Sequence, residues 1–187
     1  MVTIKEENLE EDTLIFFLSD NGGPTKELTS SNSPLRGFKG KFFEGGIRVP
    51  FLAQWKGTIP PGQTYNHPVT SLDLYATAAA QAGLQLTPND TDGVDLVPFL
   101  KKETTDIPHK QLFWDFKAEG AFREGDWKIV KFKSKWYLYN LNRDISEETD
   151  LSVQEPEKFK DLLAKWTAIR ETMPAYTPAK KKKRGSK

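Results

Sequence analysis

The sequence predicts an α/β segment over residues 1–85, a connection over 86–107 and a small α+β subdomain over 108–176, with a basic tail at 177–187. Three observations carry that prediction. An unbroken apolar run, Leu14-Ile-Phe-Phe-Leu18, ends abruptly in Ser-Asp-Asn-Gly-Gly. A cluster of short strand-like runs follows residue 108. The chain then closes on a stretch with helical apolar spacing.

Taken in order, Leu14–Leu18 has no polar alternation, which fits a strand covered on both faces as in a parallel sheet. Residues 19–46 are rich in Gly, Ser and Asn and lack a helical period; loops of that length in a compact domain are usually functional or disordered. Residues 47–55 regain strand character, with Pro50 suited to a strand start or sheet edge. Residues 71–83 predict a helix, with Ser71 as N-cap and Gly83 as the left-handed terminator. Three further strands are expected at 111–116, 127–133 and 136–141, the last two joined as a hairpin through Ser134-Lys135. Pro156 opens an amphipathic helix whose apolar face holds Phe159, Leu162, Leu163, Trp166, Ile169 and Met173, packed across the small antiparallel sheet. The first part has too few strands to make a parallel sheet by itself, so its neighbours are expected from elsewhere.

Composition narrows the functional classes. Twelve Phe, five Trp and five Tyr argue for a packed core. The absence of cysteine excludes a disulfide framework, a thiolate metal site and a cysteine nucleophile. The tail Lys180–Lys187 carries six positive charges; removing them from the net +1 leaves −5 on the remainder, so no nucleic-acid-binding face is expected. The longest apolar runs fall far short of the roughly 20 residues that span a bilayer, and no membrane association is expected. The first twelve residues lack the apolar core of a secretory signal, and the compartment stays open. Asn89-Asp-Thr91 fits a glycosylation acceptor, which matters only in a eukaryotic secretory pathway.

Two stretches could carry chemistry. Asp20 and Asn21 follow the apolar strand, where ligands bind in open α/β sheets. Both offer hard oxygens suited to Ca²⁺, less so to Mg²⁺, if Gly22 and Gly23 turn the backbone; the same four residues would also make an ordinary turn. Lys39, between Gly37 and Gly40, is either a solvated loop lysine or a point charge for an oxyanion. Glu44 and Arg48, four apart, read as an ion pair supporting that loop rather than as catalytic groups. His67 and His109 are expected at the surface.

The order of segments "DTLIFFLSDNGGPT", "SSNSPLRGFKGKFFEGGIRVPFLAQWKGTIPPG", "VTSLDLYATAAAQAG", "DGVDLVPFL", "REGDWKIVK" and "LYNLNRDISEETDL" resembles the C-terminal portion of formylglycine-dependent sulfatases. The resemblance implies an alkaline-phosphatase-like α/β/α domain ending in an α+β subdomain. It implies Asp20 and Asn21 as Ca²⁺ ligands, Lys39 as a sulfate-binding catalytic residue, and a sulfate ester as substrate. It also implies a formylglycine nucleophile made from Cys or Ser in a C/S-x-P-x-R motif. Asn32-Ser-Pro-Leu-Arg36 has Asn at the first position and does not satisfy that motif. The resemblance therefore implies a nucleophile-bearing half that these residues do not contain, and a chain inactive by itself. Two other readings are a phosphoester or phosphonate hydrolase of the same superfamily and a non-catalytic sulfatase-like binding module.

Overall fold

The computed structural model describes residues 2–25 and 30–174; the basic tail at 177–187 lies outside the described residues. After a short N-terminal helix, α1 (Val2–Glu6), strand β1 (Ile15–Leu18) pairs antiparallel with β2 (Phe51–Gln54). β2 begins at the residue after Pro50, where the missing amide donor costs the ladder nothing. The expectation of a parallel strand covered on both faces does not hold for β1. Phe17 and Leu52 are direct cross-strand partners and stand 65% and 61% exposed. Among the described residues β1 has no other strand neighbour, and no helix packs over the Phe17–Leu52 face.

Helix α3 (Leu72–Gln81) ends as expected at Gly83, which adopts φ +78°. Its start differs. Ser71 is already helical and makes no side-chain cap. The buried Asp73 carboxylate accepts from the Thr70 backbone N–H at 2.7 Å instead. The 86–107 segment is more than a connection: Leu96 is fully buried, its N–H donates to Thr77 Oγ1, and the short helix α4 (Val97–Leu100) follows.

The second sheet is a four-stranded antiparallel meander of β3 (Gln111–Phe116), β4 (Glu119–Glu124), β5 (Trp127–Phe132) and β6 (Lys135–Asn140). β4 was not among the expected strands. Its sequence, Glu-Gly-Ala-Phe-Arg-Glu, carries two acids, an arginine and a glycine, which mask strand propensity. All three hairpins have two-residue loops, set by the registers Phe116↔Glu119, Glu124↔Trp127 and Phe132↔Lys135. Lys133 and Ser134 both take positive φ, as a type I′ turn requires, so the last loop sits one residue earlier than predicted.

Each face of this meander is covered. On one, α5 (Pro156–Thr172) seats Leu162, Phe159, Leu163, Trp166 and Ile169 against Phe122, Ile129 and Leu138. Met173 falls past the helix end and is partly exposed. Gly120 lets Trp166 approach, since a Cβ there would stand 2.9 Å from the indole; the indole N–H donates to the Trp114 carbonyl at 3.1 Å. On the opposite face, Ala121, Val130 and Tyr139 receive Phe43, which comes from the glycine-rich loop. The sheet is therefore a plate between a helix and that loop.

Candidate functional site

Strand β1 runs into Ser19-Asp20-Asn21-Gly22-Gly23. The Ser19 hydroxyl donates to the Asn21 carbonyl at 2.8 Å, closing a local turn. Gly22 is required there: its N–H donates to the Gly46 carbonyl at 3.0 Å, and a Cβ would collide with the Gly45 carbonyl oxygen. Asp20 is exposed, and among the described residues its carboxylate has no ion-pair or hydrogen-bond partner.

The second segment is the loop from Asn32 through the short helix α2 (Glu44–Ile47). Asn32, set aside in the sequence as part of an imperfect motif, ties the two segments together. Its Oδ1 accepts from the Gly23 N–H at 2.9 Å, while its Nδ2 donates to the carbonyls of Gly23 at 3.0 Å and Gly37 at 3.1 Å. Gly37 and Gly40 take φ of +89° and +82°, conformations that L side chains rarely adopt, so glycines must flank Lys39. The Lys39 N–H reaches the Gly23 carbonyl at 3.4 Å. Its side chain is exposed and has no ion-pair partner among the described residues. Sequence-distant Asp20-Asn21 and Lys39 are thus carried on two segments joined directly through Gly23.

What holds this loop is the meander together with Glu147 from the segment after it. The Arg36 guanidinium donates to the Glu147 carbonyl at 2.6 Å and to the Tyr139 hydroxyl at 3.1 Å, and lies 4.2 Å over the Phe43 ring. Lys41 Nζ pairs with Glu119 at 2.6 Å. Glu44 does meet Arg48, at 3.7 Å with Arg48 56% exposed, but its principal partner is the fully buried Lys128, 2.6 Å away. Glu147, also fully buried, accepts from the Glu44 backbone N–H at 2.6 Å and lies 2.9 Å from Lys128 Nζ. That last contact is an ion pair without hydrogen-bond alignment. Burial pushes the Glu147 carboxyl above the ordinary carboxylate range, opposed by Lys128 and the Glu44 N–H. Arg123 stands 3.9 Å from Glu44, its guanidinium pKa lowered chiefly by desolvation.

Sequence reasoning missed Lys128 and Glu147. Lys128 sits in "GDWKIVK", where alternation puts it on the same face as Val130. A lysine at an inward strand position is itself a signal that an acid must meet it.

The sulfatase family model matches residues 1–84. Human arylsulfatase A is 41% identical over 172 residues, covering 87% of this chain and 34% of that protein. A sulfatase of Formosa agariphila is 30% identical over 177 residues, covering 82% and 31%. The chain belongs to the sulfatase family. The solved structure of the PsFucS1 sulfatase from Pseudoalteromonas sp. superposes with a TM-score of 0.78 at 29% identity, covering 92% of this chain and 39% of the other. Ps i-CgsB, also solved in complex with k-i-k-neocarrahexaose, matches with a TM-score of 0.80 at 35% identity, covering 90% and 38%. These relatives establish the α/β fold class. The chain spans about one third of the length of these two curated sulfatases, in keeping with the expected C-terminal portion.

A calcium ion takes six to eight oxygens. The exposed Asp20 carboxylate and the Asn21 amide are donors of the right hardness for it. Among the described residues, however, no group of three or more His, Cys, Asp and Glu stands close enough to hold a metal. The fit is that of a partial donor set. Neither histidine joins it. His67 is exposed as expected. His109 is not: its side chain is 10% exposed because the buried Asp73 carboxylate holds its Nε2 at 2.8 and 3.0 Å.

Proposed function

We propose that these residues form the calcium- and sulfate-facing part of a sulfate-ester hydrolase. Asp20 and Asn21 would hold a Ca²⁺ ion, and Lys39 would meet the sulfuryl oxygens. The supporting observation is the junction at Gly23, where Asn32 ties the Asp20-Asn21 turn to the backbone that carries Lys39. It brings hard oxygen donors and an ammonium with no ion-pair partner among the described residues onto adjoining segments. A bound Ca²⁺ would supply stabilisation of negative charge. Lys39 supplies a cation near the leaving oxygen, where charge develops, and the glycines beside it let the sulfate approach the backbone. The Lys128–Glu147 pair keeps the loop from moving as charge builds.

Two donors leave most of a calcium shell open, and the sequence holds neither Cys nor a C/S-x-P-x-R motif. The remaining ligands and the formylglycine nucleophile are assigned to sequence outside these 187 residues. The chain alone should therefore turn over no aryl sulfate. Amide spectra of the chain should show Ca²⁺ binding at Asn21–Gly23 in about the millimolar range, abolished in Asp20→Asn. Sulfate should move the Gly37–Gly40 amides in the native chain and not in Lys39→Ala. Turnover by the chain alone that disappears with Lys39→Ala would refute the partial-site reading. Calcium shifts that survive Asp20→Asn would refute the ligand assignment.

A further inference from the structure

A second cationic recess lies on the far side of Arg123 from the loop clamp. It is a cavity of about 110 Å³ between the 66–68 segment, the start of β3 and the β4–β5 turn, and His67, His109, Lys110, Arg123 and Asp126 are among its lining residues. Its charge is lopsided: Lys110 and Arg123 face one carboxylate, Asp126, with two imidazoles alongside.

The donors are built in. His109 is held by Asp73, which is fully buried and also accepts from the backbone N–H groups of Thr70 and Val94. The Asp73 carboxylate accepts from Nε2 and fixes the ring, so Nδ1 is the nitrogen left over, and it donates only when the ring carries both protons. Arg123 is fixed in the same manner. Its Nε donates to the Gly125 carbonyl at 2.9 Å, and Nη1 is drawn towards Glu44 at 3.9 Å. Five donors in a fork leave guanidinium N–H groups unspent. The His67 ring stands edge-on to Tyr65, with centroids 5.4 Å apart, at the open rim.

We propose that this cavity is a second oxyanion subsite, taking a sulfate group of a multiply sulfated saccharide, with Arg123 as the inner donor, Lys110 and His67 at the rim, and His109 adding a donor when its ring carries both protons. The saccharide source rests on the sulfate-ester reading above; the oxyanion chemistry rests on the cavity alone. A tetrahedral anion with several acceptor oxygens matches donors converging from three chain segments. Arg123 lies between the recess and Glu44, so the subsite borders the clamp that holds the Lys39 loop.

The test is a titration of the 187-residue chain with sodium sulfate and with a disulfated glucosamine, against sodium chloride at matched ionic strength. It is read from the His109 and His67 ring signals and the Arg123 Nε–H. Sulfate should move all three where chloride does not, and the disulfated sugar should bind more tightly than inorganic sulfate. Lys110→Gln and His67→Gln are rim changes that leave the buried partners in place, and each should weaken binding about three- to fivefold. His109→Gln should weaken it further. Shifts reproduced by chloride, or rim variants that bind as the native chain does, overturn the subsite. A sugar that binds no better than inorganic sulfate overturns the saccharide assignment. Lys39→Ala separates the two readings: it should silence the Gly37–Gly40 amides and leave the cavity signals intact.

Discussion

Replacing Lys128 with methionine tests the claim that the meander holds the site loop. Lys128 Nζ lies 2.6 Å from Glu44 and 2.9 Å from Glu147, and all three side chains are buried. At an effective dielectric of about 20, each contact is worth about 6 kcal/mol of Coulomb attraction. Repulsion between the two carboxylates and the several kcal/mol needed to desolvate each ion offset most of that. The net worth of the triad is therefore modest, but removing only the cation leaves Glu147 buried without a direct countercharge and Glu44 with only its longer contacts to Arg48 and Arg123. Lys128→Met should cost about 3–5 kcal/mol in urea unfolding. Adding Glu147→Gln should recover part of the loss, because the amide still accepts from the Glu44 N–H at a much smaller desolvation cost. The double-mutant cycle should therefore show coupling above about 1 kcal/mol. The reasoning is refuted if Lys128→Met costs under about 1 kcal/mol, or if the second substitution simply adds its own penalty.

Three further outcomes follow from local geometry. Gly22→Ala sets a methyl group against the Gly45 carbonyl, backbone against backbone, and should destabilise by about 3 kcal/mol or more while shifting the amides of Gly45 and Gly46. Asn32→Ala leaves the Gly23 N–H and two carbonyls without their side-chain partner, at about 1–3 kcal/mol; hydrogen exchange should quicken at Gly23 with the meander amides unchanged. Burial pushes the Tyr139 phenol up to about 12 from its ordinary 10, against the opposing pull of Arg36. The folded chain thus keeps a proton that the unfolded chain releases, so stability is full below pH 10 and falls between pH 10 and 12. Alkaline denaturation should show a loss of about 1–2 kcal/mol across that window, and Tyr139→Phe should remove it.

The elements that announced themselves were those whose local pattern agreed with their packing. The apolar face of α5 was readable because Phe159, Leu162, Trp166 and Ile169 recur at helical spacing and do meet the sheet. Gly83 was readable because a positive φ has few other occupants. β4 was hidden because its burial depends on neighbours: Ala121 and Phe122 are enclosed by Phe43 and by α5, which no window of six residues can reveal. The cap of α3 was assigned to Ser71 because a serine precedes the helix; long-range demand from His109 and Val94 placed the working carboxylate at Asp73. Around the site, Asp20, Asn21 and Lys39 stood out as short chemical motifs with the resemblance to guide them. Asn32, Lys128 and Glu147 did not, since their meaning lies in contacts spanning up to 111 residues.

That separation bears on how the loop can work. The segment around Lys39 has little regular structure, and two of its residues need positive φ, so its backbone would sample many conformations if left alone. Its order is imported. Arg36, Lys41, Phe43 and Glu44 each end on the meander, through a tyrosine hydroxyl, a carboxylate, an aromatic cluster and a buried ammonium in turn. Lys39 lies between these anchors, and its exposed side chain pairs with none of them. A cation meant to meet developing negative charge gains most when its surroundings need not reorganise. On the proposed sulfate-facing role of Lys39, a loop pinned on both sides of it meets that condition. The α+β subdomain is then no appendage: it supplies the rigidity that the glycines beside Lys39 give up.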